Sequence, residues 1–133
     1  TKNLPFRFVQ PPGDDNALGK VKFLFPNRFT VYMHDTPAKS LFSRTSRAFS
    51  HGCIRLEQPM EMLRFFAEID PNIDYDKALK RLEGNRNEHL KLQQQVPVDI
   101  VYLTAFVDYD GTLQFRPDIY LYDRMQRETL RAW

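Results

Sequence analysis

Cysteine is nearly absent. Cys53 is the only one in 133 residues, so no internal disulfide can form, and its thiol is either a small buried hydrophobe or a reactive group. Charge of one sign is lacking too: 19 basic and 17 acidic residues leave a formal net charge of +2. With no long basic run, nothing favours nucleic acid as a partner. No apolar run is long enough to span a bilayer, no signal peptide is visible, and there are no repeats or low-complexity tracts. What is present is globular in composition, 42% apolar and 14% aromatic, and residues 1–133 are expected to form a single domain with a real core. The opening "TKNLPFRFVQPPGDDNALGK" shows no capped element and reads like the interior of a longer protein.

Along the chain, "KVKFLF" alternates, with Val21, Phe23 and Phe25 on one face, and "FTVYMHD" alternates again, with Thr30, Tyr32 and His34 together. With "PN" at 26–27 between them, the two runs predict a β-hairpin that puts His34 at a strand end. "TPAKSLFSRTSRAFSHG" is a long polar excursion, of a kind that is usually functional or mobile in compact domains. "PMEMLRFFAEID" predicts a helix starting at Pro59, with Met60, Met62, Leu63, Phe65 and Phe66 in the core and Ile69 on the same stripe. "DYDKALKRLEG" predicts a second, with Asp74 as N-cap and Gly84 as stop. "NRNEHLKLQQQ" is weakly patterned, and its His89 reads as surface. Val98 to Val107 gives the strongest strand signal, "DG" at 110–111 a tight turn, "TLQFRPDIY" a returning strand, and "DRMQRETLRAW" a helix. The class is mixed α+β and β-rich, with helices following one another rather than alternating with every strand.

Chemistry concentrates at "SHGCIRLEQP", residues 50–59. A thiol is a useful nucleophile only as thiolate, which needs a base or a positive local field. His51 lies two residues before Cys53, and His34 waits at its strand end. Gly52 allows a turn or a close backbone approach that a Cβ would forbid, and the N–H groups of Gly52 and Cys53 suit a developing oxyanion. Arg55 supplies a fixed charge for a carboxylate. Each residue has a plain alternative: His51 bonded to backbone at a turn, His34 capping a strand, Arg55 paired with Glu57. The concentration of one Cys, a Gly, two His and an Arg favours chemistry over all of these at once. Zinc is not favoured, because His34, His51 and Cys53 match no usual ligand spacing. The "DYDG" at 108–111 reads as a turn rather than a calcium loop.

The residues from His34 through the fifteen at 35–49 to Ser50, His51, Gly52, Cys53, Ile54 and Arg55 resemble the signature of the L,D-transpeptidase catalytic domain family (YkuD-type). "LGKVKFLFPNRFTVYMHDTP" and "VPVDIVYLTAFVDYDGTLQFRPDIYLYD" resemble parts of its larger Gram-negative members, so most of residues 15–123 is covered. The resemblance implies that Cys53 attacks a peptidoglycan tetrapeptide stem at the L-centre of its diamino acid, releasing D-alanine. The resulting thioester is resolved by a second stem's amine to a 3→3 cross-link. His34 is then the general base, its other nitrogen oriented by a backbone carbonyl, so that Asp35 need not act as a third catalytic member. His51, Gly52 and Ser50 support the oxyanion region, while Arg55 and Tyr32 hold the donor substrate.

The same resemblance implies a β-rich sandwich with helices after the motif. The family's opening strands, its upstream "NP.W.vP"-like stretch and its capping segment have no counterpart in residues 1–133, so exposed sheet edges and a strand-mediated dimer are expected. No metal or cofactor is implied. The expected partner is the peptidoglycan stem peptide, and the expected location is the periplasm or envelope of a Gram-negative bacterium, where a lone thiol has no partner to oxidise with and a membrane anchor on the parent protein fits. Two other functions use the same residues or none: L,D-carboxypeptidase action with water as acceptor, and a catalytically silent peptidoglycan-binding piece.

Overall fold

The computed structural model describes residues 5–6, 8–84 and 86–131. They fall into two compact units, one ending at Val96 and the other beginning at Pro97, within the span that the sequence reading takes as one domain.

The first unit is built on a three-stranded sheet in the order β1 (Lys22–Phe23), β2 (Met33–His34), β3 (Ile54–Arg55). β1 runs antiparallel to β2 with Lys22 opposite His34, and β3 runs parallel to β2 with Met33 opposite Ile54 and His34 opposite Arg55. The hairpin is present, but its ladder is much shorter than the alternation predicts. The cause is Asn27. Its side-chain amide donates to the carbonyls of Phe25 and Val31 at 2.9 and 2.6 Å, and its Oδ1 accepts from Phe29 and Val31 N–H at 3.0 Å each. One side chain thus satisfies backbone groups that a tighter hairpin would pair with one another. The alternation survives in burial: Val21, Phe23 and Phe25 are half-buried while Lys22 and Leu24 are exposed.

Two helices follow, α1 (Pro59–Ile69) and α2 (Tyr75–Leu82). Pro59 sits in the first turn of α1, where its missing N–H costs nothing. Asp74 caps α2 by accepting Lys77 N–H at 2.9 Å. α2 stops at Leu82, and Gly84 follows the C-cap Glu83, donating its N–H to Arg81 at 3.1 Å. Leu63, Ile73 and Ala78 form the buried core, and Phe23 and Met60 pack against it. Phe23 also meets Phe66 ring to ring at 5.6 Å, which joins the sheet to α1. Phe65 and Ile69, expected in the core and on the core-facing stripe respectively, are instead 46% and 42% exposed. Asp70 ends α1 almost wholly buried. Its carboxylate accepts N–H groups from Asn72 at 2.9 Å, from Gln94 at 3.2 Å and from Gln93. Burial alone would raise this carboxyl's pKa, and the three donors outweigh it and hold it below the usual carboxylate range. The polar, weakly patterned stretch is thereby tied down, with Leu92 against the core.

The second unit pairs β4 (Ala105–Val107) with β5 (Leu113–Phe115), antiparallel, Phe106 opposite Gln114. The Asp-Gly turn forms as expected, with Gly111 at φ 84 and Asp108 N–H on the Thr112 carbonyl at 2.9 Å. The expected strand from Val98 to Val107 is a ladder only over its last three residues. The Thr104 carbonyl still accepts Arg116 N–H at 2.7 Å, but before it the extended chain has no strand partner among the described residues, and Ile100, Val101 and Leu103 are exposed. α3 (Tyr122–Arg131) forms where the helical tail was expected, with Ala132 and Trp133 of that tail outside the described residues, and none of the helix's residues is buried. Asp118 holds its start, accepting N–H from Tyr122 and Arg124 and the Tyr102 hydroxyl. Short sheets and three helices, segregated along the chain, make an α+β fold.

Candidate active site

Side chains alternate across a strand. His34 and Arg55, directly opposite in the parallel pair β2–β3, therefore share a face, and two residues back on each chain Tyr32 and Cys53 return to it. Backbone bonds hold this register beyond the strand ends: Ile54 N–H donates to the Tyr32 carbonyl at 3.0 Å and Leu56 N–H to the His34 carbonyl at 2.9 Å. His34, Cys53 and Arg55, though not Tyr32, line one cleft of about 420 Å³, together with Ser50, His51, Gly52 and the apolar Leu18, Phe29, Val31 and Phe49. His89, exposed, is not among them. Among the described residues no group of three or more His, Cys, Asp or Glu side chains is gathered as a metal site would need.

His34 is buried, 5% exposed, and its Nδ1 bonds the backbone carbonyl of Asp35. A carbonyl only accepts, so in the neutral ring Nδ1 carries the hydrogen and Nε2 keeps the lone pair. The Asp35 carboxylate is engaged elsewhere. It accepts Lys20 N–H at 3.0 Å and the Lys39 ammonium at 2.9 Å. Its burial would raise the pKa, but those partners outweigh it and the carboxyl sits below its usual range. The Lys39 ammonium also donates to the Leu56 carbonyl at 3.0 Å and the Glu57 carbonyl at 2.7 Å. Nothing in the type of Lys39 marks it out in the sequence. The available signal is its position four residues after Asp35, although no helix there was expected to make that spacing meaningful. The structure has a 3-10 turn at Lys39–Ser43.

Cys53 is half-buried, and the turn before it is built by Ser50, whose hydroxyl donates to the Cys53 carbonyl at 2.7 Å and accepts Gly52 N–H at 3.2 Å. Gly52 takes φ +144, and a Cβ there would meet Val31 Cγ2 at 3.3 Å, so both conformation and space favour glycine. Its N–H is engaged by Ser50, whereas the Cys53 N–H, the backbone donor next to the sulfur, has no acceptor among the described residues. Tyr32 packs edge-on to the His34 ring at 5.9 Å. Burial first, and then the adjacent Cys53 sulfur, raise the pKa of its hydroxyl, so at neutral pH it remains a donor beside the thiol. His51 is exposed at the cleft wall.

Arg55 does not use Glu57 as partner. Its Nη2 reaches only the Phe49 carbonyl, at 3.5 Å, and its Nη1 is buried with no hydrogen-bond partner among the described residues. A guanidinium N–H left unpaired in a cleft wall is costly unless a ligand accepts from it. The groups gathered here can therefore support nucleophilic attack by sulfur, proton transfer through an imidazole, and capture of an anion.

The sequence profile of the L,D-transpeptidase catalytic domain (YkuD) matches residues 2–101. A Haemophilus influenzae protein named "Putative L,D-transpeptidase" is 34% identical over 122 residues, which is 90% of this chain and 24% of that protein. The chain thus spans about a quarter of the length of this curated relative. With His34, Cys53 and Arg55 on one sheet face and the profile covering most of the chain, the protein belongs to the L,D-transpeptidase catalytic domain family of the YkuD type.

Proposed function

We propose that this chain carries the nucleophile and base of a peptidoglycan L,D-transpeptidase. The observation that supports it most is the shared face of Tyr32, His34, Cys53 and Arg55, with His34 Nδ1 committed to a carbonyl and Nε2 left to take the Cys53 proton. Cys53 Sγ attacks the carbonyl at the L-centre of the diamino acid in a tetrapeptide stem. The Cys53 N–H, with the Tyr32 hydroxyl near the sulfur, stabilises the oxyanion, while Ser50, His51 and Gly52 shape the turn and the cleft wall around it. As the tetrahedral adduct collapses, the C–N bond breaks, His34 returns the proton to the leaving D-alanine amine, and a thioester remains. An acceptor amine, deprotonated by His34, resolves it to a 3→3 cross-link and frees the thiol. The open Nη1 of Arg55 takes a carboxylate of the donor stem.

On this reading the protein works in the envelope of a Gram-negative bacterium, on the periplasmic side. On the same reading both units belong to one catalytic domain of β-sandwich type. The test is direct. Incubating the full-length protein with a carbapenem should add the drug's mass, and Cys53→Ala should abolish the adduct. An unmodified wild type would leave a silent peptidoglycan-binding role. Supplied with tetrapeptide stems, the enzyme should yield cross-linked dimer; tripeptide alone would make it an L,D-carboxypeptidase instead.

A further inference from the structure

Resting on that reading, we propose that Lys39 is a positioning residue, holding the base-bearing and nucleophile-bearing strands in catalytic register. An ammonium has three N–H donors. Those of Lys39 meet three acceptors, Asp35 Oδ1 at 2.9 Å, the Leu56 carbonyl at 3.0 Å and the Glu57 carbonyl at 2.7 Å. Asp35 follows His34 at the end of β2, and Leu56 and Glu57 follow Arg55 at the end of β3. One side chain therefore ties together the exits of the two strands that present the base and the nucleophile.

The tie matters because the ladder it reinforces is so short. β2 and β3 are two residues each, and a slip of one residue would turn every site side chain to the opposite face. A surface ion pair alone would contribute little, since Lys39 is 44% exposed. The geometry here is different: two of the three acceptors are backbone carbonyls, and the third belongs to a carboxylate that is itself fixed. Asp35 Oδ2 accepts Lys20 N–H at 3.0 Å, and Gly19 packs against the same carboxylate so closely that no Cβ fits between. Upstream of Lys39, Thr36 Oγ1 accepts Ala38 N–H at 3.2 Å and shapes the turn from which the lysine reaches back. The carbonyl that orients the His34 imidazole is that of Asp35. A displacement of Asp35 therefore rotates the base as well as loosening the strand.

Lys39→Met keeps the length and apolar stem and removes all three donors. A misplacement of reacting groups by about 1 Å is enough to slow a reaction by about a hundredfold. In the full-length protein, Lys39→Met should slow carbapenem acylation of Cys53 by about ten- to a hundredfold. The apparent drug affinity should change little, and labelling should still reach one adduct per protein. Asp35→Asn, which keeps an acceptor for Lys20 N–H, should show a smaller slowing of the same kind, and serves if Lys39→Met does not fold. Lys77→Met, which removes an exposed pair with Asp74 on α2, should match wild type. The inference is overturned if Lys39→Met acylates at the wild-type rate, or if only the final stoichiometry falls while the rate constant holds, since that marks a fraction unfolded rather than a site displaced. It is equally overturned if Lys39→Met does not fold and Asp35→Asn acylates at the wild-type rate. A wild-type protein that takes no adduct overturns the functional reading and this one with it, and so is told apart from failure of the lysine's role alone.

Discussion

Gly19 is held by its conformation and by its packing on Asp35, and Gly13 in the same turn provides its control. Gly19 stands at φ +63, and a Cβ there would lie 2.6 Å from Asp35 Cβ and closer still to the carboxylate, whereas a Cβ at Gly13 meets nothing within 4 Å. A left-handed conformation costs an alanine about 1–2 kcal/mol. Asp35 cannot escape by swinging its carboxylate alone, because the overlap reaches its Cβ, so the Lys20 N–H bond to Oδ2 is lost. A hydrogen bond to a charged acceptor contributes about 1.5–3 kcal/mol, and the stiffer unfolded chain of the variant gives back about 0.4–1 kcal/mol. Together these effects destabilise the turn by about 2–4 kcal/mol. Because about 1.4 kcal/mol is tenfold, amide hydrogen exchange across residues 16–25 of the full-length protein should accelerate by roughly thirty- to a thousandfold in Gly19→Ala. Gly13→Ala should stay near wild type. Equal exchange in the two variants would refute the packing of Gly19 on Asp35 and weaken the case for a fixed carboxylate beside the base.

Leu63 is 6% exposed at the centre of the core, and Leu63→Ala should cost about 2–5 kcal/mol, seen as faster exchange throughout α1 and α2. A loss below 1 kcal/mol, on the order of one methylene, would mean that the core lies elsewhere. Arg55→Lys should raise the donor-stem KM by about ten- to a hundredfold with kcat nearly kept, because a lysine cannot place the buried Nη1 donor of a rigid fork. An unchanged KM would remove Arg55 from substrate binding. The Asp35 carboxyl is depressed in the folded protein, so its contribution is fully present above the unfolded aspartate value of about 3.9 and is lost as pH falls through the lower native one. Protection of the Lys20 amide, corrected for intrinsic exchange, should therefore hold from pH 7 down to about pH 4 and fail only below it. Failure near pH 6 would point to a different titrating group.

The residues of the site were legible because each is chemically conspicuous: a lone thiol, two imidazoles, a glycine and an arginine in a short window. The helices were legible for a local reason as well. Pro59 and Asp74 mark starts that need no tertiary partner. The residues that organise the site were not legible, since nothing in their type declares a role. Lys39 looks like any surface lysine until its ammonium is seen to reach carbonyls seventeen and eighteen residues away. Asp70 looks like a helix terminator until Gln93 and Gln94 return to it. Strand length failed for a related reason. β propensity records a side chain's fit to a pleated surface and says nothing about whether a partner strand is present. The run from Val98 gains a ladder only where β5 reaches it, and the hairpin at 20–34 loses one where Asn27 takes over the pairing.

The spacing of the signature follows from this topology. An antiparallel neighbour can be reached by a turn of two residues, but a parallel neighbour requires the chain to travel back along the strand, on the order of a dozen residues or more. His34 ends one strand and Cys53 enters the next in the same direction, so the polar stretch between them is the return path, and shortening it would break the pairing before it touched the chemistry. Parallel pairing also explains why the proposed base and nucleophile need not be directly opposite. His34 stands across from Arg55, and the same register continued by the Ile54 N–H bond to the Tyr32 carbonyl sets Cys53 beside Tyr32, so the proposed base and nucleophile lie diagonally on one face with a phenol and a guanidinium at the other two corners. A direct His–Cys pairing would require a register shift of two residues, which keeps the face but moves Leu56 N–H away from the His34 carbonyl and Leu56 and Glu57 away from Lys39. The diagonal is thus the arrangement in which the short ladder, the lysine tie and the shared face are satisfied together.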